Sequence, residues 1–141
     1  MNLKKPLNAL LAAVMGAGLL LTGTANAQKY PDKPISLVVP FAAGGPTDTI
    51  ARLLATNMSK TLGQTVVVEN VAGAGGTIAS AKVAKSKPDG YTIYIHHMGM
   101  ATAQALYDKL PYDPLKDFEY IGQVADVPMV LWGSKNFPPN N

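Results

Sequence analysis

Two stretches of this 141-residue chain set glycines between a strand-like and a helix-like pattern: "PFAAGGPTDTIAR" (Pro40 to Arg52) and "VAGAGGT" (Val71 to Thr77). The chemistry this arrangement suits is anion binding. The first-turn N–H groups of a helix have no intrahelical partner and carry the positive end of its dipole. Glycine lets an anion approach those donors with no Cβ in the way. Either loop alone also reads as a tight strand-to-helix turn, but two in equivalent positions favour a clamp for carboxylates. In the first, Gly45 or Thr47 is the candidate cap, with Pro46 in the first turn. Asp48 precedes Arg52 by four residues, the spacing of an intrahelical ion pair that fixes the helix end. Phe41 suits either the stem of a ligand or the core.

Other chemistry finds little support. "AGAGGT" is not G-x-G-x-x-G, no lysine follows in P-loop fashion, and the acidic residue nearest the expected spacing is Asp89, in a turn; a bound nucleotide is not expected. His96 and His97 are adjacent, so in a strand one faces the ligand edge and the other the core, which argues against two ligands to one metal. Ser36, Ser59, Ser80, Ser86 and Ser134 lack a G-x-S-x-G setting, and no carboxylate pair is placed for acid–base work. With no cysteine there is neither a disulfide nor a thiolate metal site.

The elements that position the loops follow from periodicity. "ISLVVPF" (Ile35 to Phe41) is apolar and β-branched without clean alternation, the pattern of a parallel strand covered on both faces. From Thr47 on, Ile50, Leu53, Leu54, Met58 and Leu62 mark one helical face, and Gly63 stops the helix. Gln64 to Asn70 is a second strand, Thr77 to Lys87 a smaller helix, "PDGY" (Pro88 to Tyr91) a turn and Thr92 to His97 a third strand. "MATAQALYDKL" reads as a short helix, and "EYIGQVA" and "PMVLWG" as two further strands. The alternation predicts a doubly wound α/β fold with a mostly parallel sheet. Both loops then lie at the carboxyl ends of adjacent strands, where open α/β sheets bind ligands.

The first 27 residues read as a secretory signal peptide: Lys4 and Lys5, an apolar run from Ala9 to Leu21, then "ANA" with cleavage after Ala27. Without them ten basic and nine acidic side chains leave a charge of +1 with no basic stripe, so nucleic acid is not an expected partner.

The segment from Tyr30 to about Trp132 resembles the Bug family, the TctC-like periplasmic receptors of tripartite tricarboxylate transporters. Four motifs carry the resemblance: "PFAAGGPTDTIAR", "LGQTVVVEN" leading into "GAGG", "KPDGYT", and "LPYDPLKDF" followed by "VPMVL". It implies a periplasmic, non-catalytic, Venus-flytrap binding protein of type II with no cofactor. The implied solute is a small carboxylate, and the implied partners are the membrane subunits of such a transporter, the full-length receptor being a monomer. Carried over by motif, the ligand contacts fall on Phe41, Ala43, Gly44, Gly45, Thr47 and Asp48 in the first loop, on Gly75, Gly76 and Thr77 in the second, and on His97 beyond the third strand. Where the family has Arg-Pro between its "EN" and "GAGG" elements, Val71 and Ala72 stand here. The family's chains are also much longer. Residues 28–141 are therefore expected to be a partial N-terminal lobe, with 125–141 starting the crossover to a second one. The rivals are an exported protein-interaction module and a small exported hydrolase; the latter lacks a nucleophile–base pair.

Overall fold

The computed structural model describes residues 29–135. The expected signal peptide and residues 136–141 lie outside them. The described chain runs β1 (Ile35–Val39), α1 (Pro46–Leu62), β2 (Val66–Asn70), a 3-10 turn (Ala74–Gly76) continuing into α2 (Thr77–Ala84), β3 (Thr92–Tyr94) and α3 (Gly99–Leu106). The three strands form one parallel sheet in the order β2-β1-β3, with Leu37 opposite both Val68 and Ile93. Central β1 is covered on both faces, as its unbroken apolar run predicts. Ile35, Leu37 and Val39 pack with Ala51 and Ala55 of α1, and Val38 is fully buried on the other face, where α2 packs against β1 and β3.

The buried line of α1 differs in one position from the expected stripe. Asp48, Ala51 and Ala55 are its buried residues, flanked by the partly buried Ile50, Leu54, Met58 and Leu62. Leu53 is 62 % exposed. It stands two positions from both Ala51 and Ala55, which at 3.6 residues per turn is the far side of the helix. The two alanines let α1 lie close to the sheet. Gly63 ends the helix in the left-handed conformation, its N–H bonded to Ser59 O.

The third strand is shorter than expected. Ser36 N–H donates to Tyr91 O and Ile95 N–H to Val38 O at 3.1 Å. The next β1 donor in that alternation belongs to position 40, a proline without an N–H, so the ladder stops and His96 and His97 leave the sheet. α2 also ends earlier than expected, at Ala84. The turn before β3 forms as expected: Asp89 Oδ1 accepts the Tyr91 N–H and Gly90 has φ +80°. The two strands expected in Glu119–Ala125 and Pro128–Gly133 are not formed: residues 119–134 carry no regular secondary structure, and Leu131 is 100 % exposed. Their β-like composition finds no neighbouring strand among the described residues, and a strand without a ladder has nothing to satisfy its backbone. No helix among the described residues is long and apolar enough to cross a membrane.

Candidate functional site

The carboxyl ends of the three strands bring together the Pro40–Thr47 loop, the Val71–Thr77 loop and the His96–His97 pair. In the first loop Gly45 is the cap of α1, in extended backbone, and Pro46 follows at the first helical position. Thr49 returns both its N–H and its hydroxyl to Gly45 O, at 3.0 and 3.1 Å. The helix-opening amides are therefore those of Thr47 and Asp48.

Asp48 organises this loop from inside. It is 2 % exposed, and its carboxylate accepts the Gly44 N–H at 2.8 Å, Arg52 Nε–H at 2.8 Å and Asn70 Nδ2–H at 2.9 Å. Asn70, at the end of β2, also donates to Phe41 O, and Arg52 reaches Asn70 Oδ1 at 3.3 Å. The Arg52 hydrogen bond, then those from Gly44 and Asn70, hold the Asp48 carboxyl well below the usual carboxylate range. Two consequences follow for the expected contacts. The Asp48 side chain and the Gly44 amide are engaged with each other and with the fold. The negative charge of Asp48, which would repel an anion at the helix start, is matched by Arg52.

The second loop is built on left-handed backbone: Gly73, Ala74, Gly75 and Gly76 all have positive φ, and the Gly76 N–H donates to Gly73 O at 2.9 Å. Thr77 Oγ1 and Tyr107 OH both donate to Ala74 O. Gly76 is buried, with φ +96°; a Cβ there would lie 2.7 Å from His96 Nε2 and 3.1 Å from Pro40 Cβ. The glycine is thus demanded by backbone and packing, where sequence reasoning saw a cleared approach path. Gly45 is the contrast. Its φ is −78°, and a Cβ would meet only Ala42 O at an ordinary 3.5 Å. Neither strain nor crowding requires glycine at this helix start, so the argument from open approach survives there.

His96 and His97 do not point to opposite faces, because the strand alternation that would separate them ends at Tyr94. Both rings gather round Phe41, which stacks on His97 at 4.6 Å and meets His96 edge-on at 5.7 Å. His96 Nδ1 accepts the His97 N–H at 2.8 Å, and His97 Nδ1 accepts the Gly99 N–H at the start of α3 at 3.0 Å. Burial, then the neighbouring His97, pulls His96 down to about 4, so it is neutral at pH 7 with its proton on Nε2. Buried Ser80 bonds to Gly76 O, Tyr94 OH and Met100 Sδ, a packing role with neither histidine nor carboxylate among its partners.

Direct contacts join the elements through Pro40, Phe41, Gly76, His96 and His97, while Ala43, Gly44, Gly45 and Thr47 of the first loop and Gly75 and Thr77 of the second lie on the same edge, with Asp48 buried at the start of α1. Sequence reasoning missed Asn70 and Tyr107, and of the two histidines it carried over only His97. Asn70 had a signal, as a polar residue ending an apolar strand just before a glycine loop. Tyr107 reaches its loop from 33 positions away and had none.

A family model described as the tripartite tricarboxylate transporter family receptor matches residues 50–141. The chain belongs to this family. Among curated relatives, a UPF0065 protein of the TAR-I ttuE-ttuC′ intergenic region of Agrobacterium vitis is 48 % identical over 134 residues, covering 94 % of this chain and 39 % of the relative. BugT of Bordetella pertussis is 43 % identical over 126 residues, covering 86 % and 39 %. Of solved receptors, the periplasmic binding protein BugD is 57 % identical with a TM-score of 0.62, covering 64 % of this chain and 30 % of its own. MatC of Rhodopseudomonas palustris, solved with bound malate, is 51 % identical with a TM-score of 0.61, covering 63 % and 31 %. Another R. palustris protein, solved with adipate, is 42 % identical with a TM-score of 0.59, covering 61 % and 29 %. The chain spans about two fifths of the length of the curated relatives. The parallel α/β sheet is thus part of a periplasmic-binding-protein lobe, the fold class expected from the sequence.

Proposed function

We propose that this chain forms one wall of the binding cleft of an exported solute receptor. The receptor captures a small carboxylate and delivers it to the membrane subunits of a tripartite tricarboxylate-type transporter. The observation that carries this reading is the pair of helix-opening loops on neighbouring parallel strands, at the start of α1 and of α2, with the Asp48 carboxylate at the first already matched by Arg52. The first-turn amides of two helices that start at the same sheet edge suit a carboxylate, whose oxygens accept charge-assisted hydrogen bonds. Malate and adipate, bound by solved relatives, are carboxylates of that kind. The Phe41–His97 stack offers an apolar wall with polar edges for the carbon chain of the solute. The role is binding without turnover. In the full-length receptor the stretch from residue 125 onward leads toward a second lobe, which closes the cleft from the other side.

The test is calorimetric titration of the receptor with four- to six-carbon dicarboxylates, and with neutral sugars of similar size as controls. Saturable binding of a dicarboxylate and none of the sugars is expected. Sugar binding, or hydrolysis of a carboxylate ester at a rate that follows the protein concentration, would overturn the reading.

A further inference from the structure

His96 touches both loops. Its ring leaves the end of β3 and packs edge-on against Phe41 of the first loop at 5.7 Å and against Tyr94 at 5.4 Å. On its other side Nε2 faces Gly76, so close that a single added Cβ would sit 2.7 Å from it. Pro40 Cβ presses on the same point from the end of β1. The ring cannot swivel freely, because Nδ1 is held by the His97 N–H at 2.8 Å. An aromatic wedge therefore packs beside Pro40, at the strand end that launches α1, against the glycine that launches α2. Solute contact is expected from His97 and the loop amides, and none of them explains why Gly76 is packed this tightly against a neighbouring imidazole.

We propose that His96 is a specificity-determining positioning residue, a spacer that sets the separation of the two sets of helix-opening amides and hence the length of anionic solute they can grip together. The selectivity part of this inference rests on the proposed receptor function. The spacer part rests on geometry alone, and the two are read separately.

The experiment compares the full chain with His96→Ala and His96→Gln. The first reading is amide hydrogen exchange at bonded reporters on each loop: Gly44 and Thr49 on the first, Gly76 on the second. Loss of the wedge is expected to speed exchange in both loops by about fivefold or more relative to core amides of β1, with a smaller rise for glutamine. The second reading is the ratio of malate to adipate affinity. Whichever acid the unaltered protein prefers, the ratio should move toward one by about fivefold in His96→Ala, because a looser pair of loops discriminates less by length. A residue that only stabilises the fold would lower the thermal midpoint and leave this ratio alone. If the unaltered protein binds neither acid, the receptor reading fails while exchange still decides the spacer. If His96→Ala does not fold, the glutamine variant supplies both readings, with a rise of about threefold expected in each loop. Exchange raised in one loop only or in neither, or a ratio unchanged with both acids bound, overturns the proposal.

Discussion

Replacing Gly76 with alanine asks whether the second loop is built as described. The new Cβ meets two separate costs. Backbone at φ +96° is left-handed, which costs an L-residue about 1–2 kcal/mol. The Cβ would also lie 2.7 Å from His96 Nε2 and 3.1 Å from Pro40 Cβ, and overpacking of this kind costs about 1–3 kcal/mol. Together they give about 2–5 kcal/mol, and at about 4–8 °C per kcal/mol for a domain of this size the thermal midpoint falls by about 8 °C or more. In a His96→Ala background the nearer contact disappears while the backbone cost remains. The same substitution should then cost about 1–2 kcal/mol for the backbone plus the smaller share of the Pro40 contact, leaving a coupling of about 1–2 kcal/mol between the two positions, beyond the ~0.5 kcal/mol scatter of independent sites. Urea denaturation of the four proteins measures the cycle. Equal costs in both backgrounds would refute the packing argument, and a cost below about 1 kcal/mol in the unaltered background would refute both terms.

Three further outcomes are expected. Acid should weaken the fold through His96: its pKa drops from the ordinary 6.5 to about 4 on folding, so its contribution is intact above pH 6.5 and lost as pH falls toward 4, where the unfolded chain takes up a proton first. After allowance for the solvent reaching the ring this amounts to about 1–2 kcal/mol, seen as a lower urea midpoint at pH 4.5 than at pH 7.5; the same pH dependence in His96→Gln would contradict it. The Asp48 carboxyl is held low instead, so its contribution persists above its ordinary 3.8 and is lost only at lower pH; Asp48→Asn should speed exchange of the Gly44 amide, and unchanged exchange would remove Asp48 as organiser of the loop. Gly45→Ala should leave stability within about 0.5 kcal/mol, because its Cβ has room, yet weaken dicarboxylate binding roughly ten- to hundredfold if one charge-assisted hydrogen bond worth about 1.5–3 kcal/mol is lost; calorimetry showing full affinity would reject this helix start as a contact.

The elements of the lobe were legible where periodicity and punctuation agree. The apolar run Ile35 to Phe41 marked a parallel strand covered on both faces, which forms over Ile35–Val39, and Pro46 and Gly63 bracketed α1. The Asp48–Arg52 pair was legible from its four-residue spacing and forms at 2.8 Å. Legibility stopped where the outcome depends on a distant partner. The third strand was read to His97 because its residues suit a strand, but its length is decided by Pro40 on the neighbouring strand, which has no proton to offer. The stretches at 119–125 and 128–133 have strand composition, and composition cannot supply a ladder. At the site, the glycines drew attention to both loops but not to their different reasons. Gly45 stands in open space at a helix start, whereas Gly76 answers to His96, twenty positions along the chain.

The central claim is that a carboxylate is held by the amides that open α1 and α2. The most direct measurement is an amide NMR titration of the full chain with malate and with adipate. The account predicts saturable shifts concentrated at Gly45, Thr47 and Asp48 and at the first-turn amides of α2 beyond the bonded Gly76 and Thr77 N–H groups, with His97 moving alongside. Shifts centred instead on the outer flank of α1 around Arg52 and Leu53, or on the exposed stretch 119–134, would contradict it.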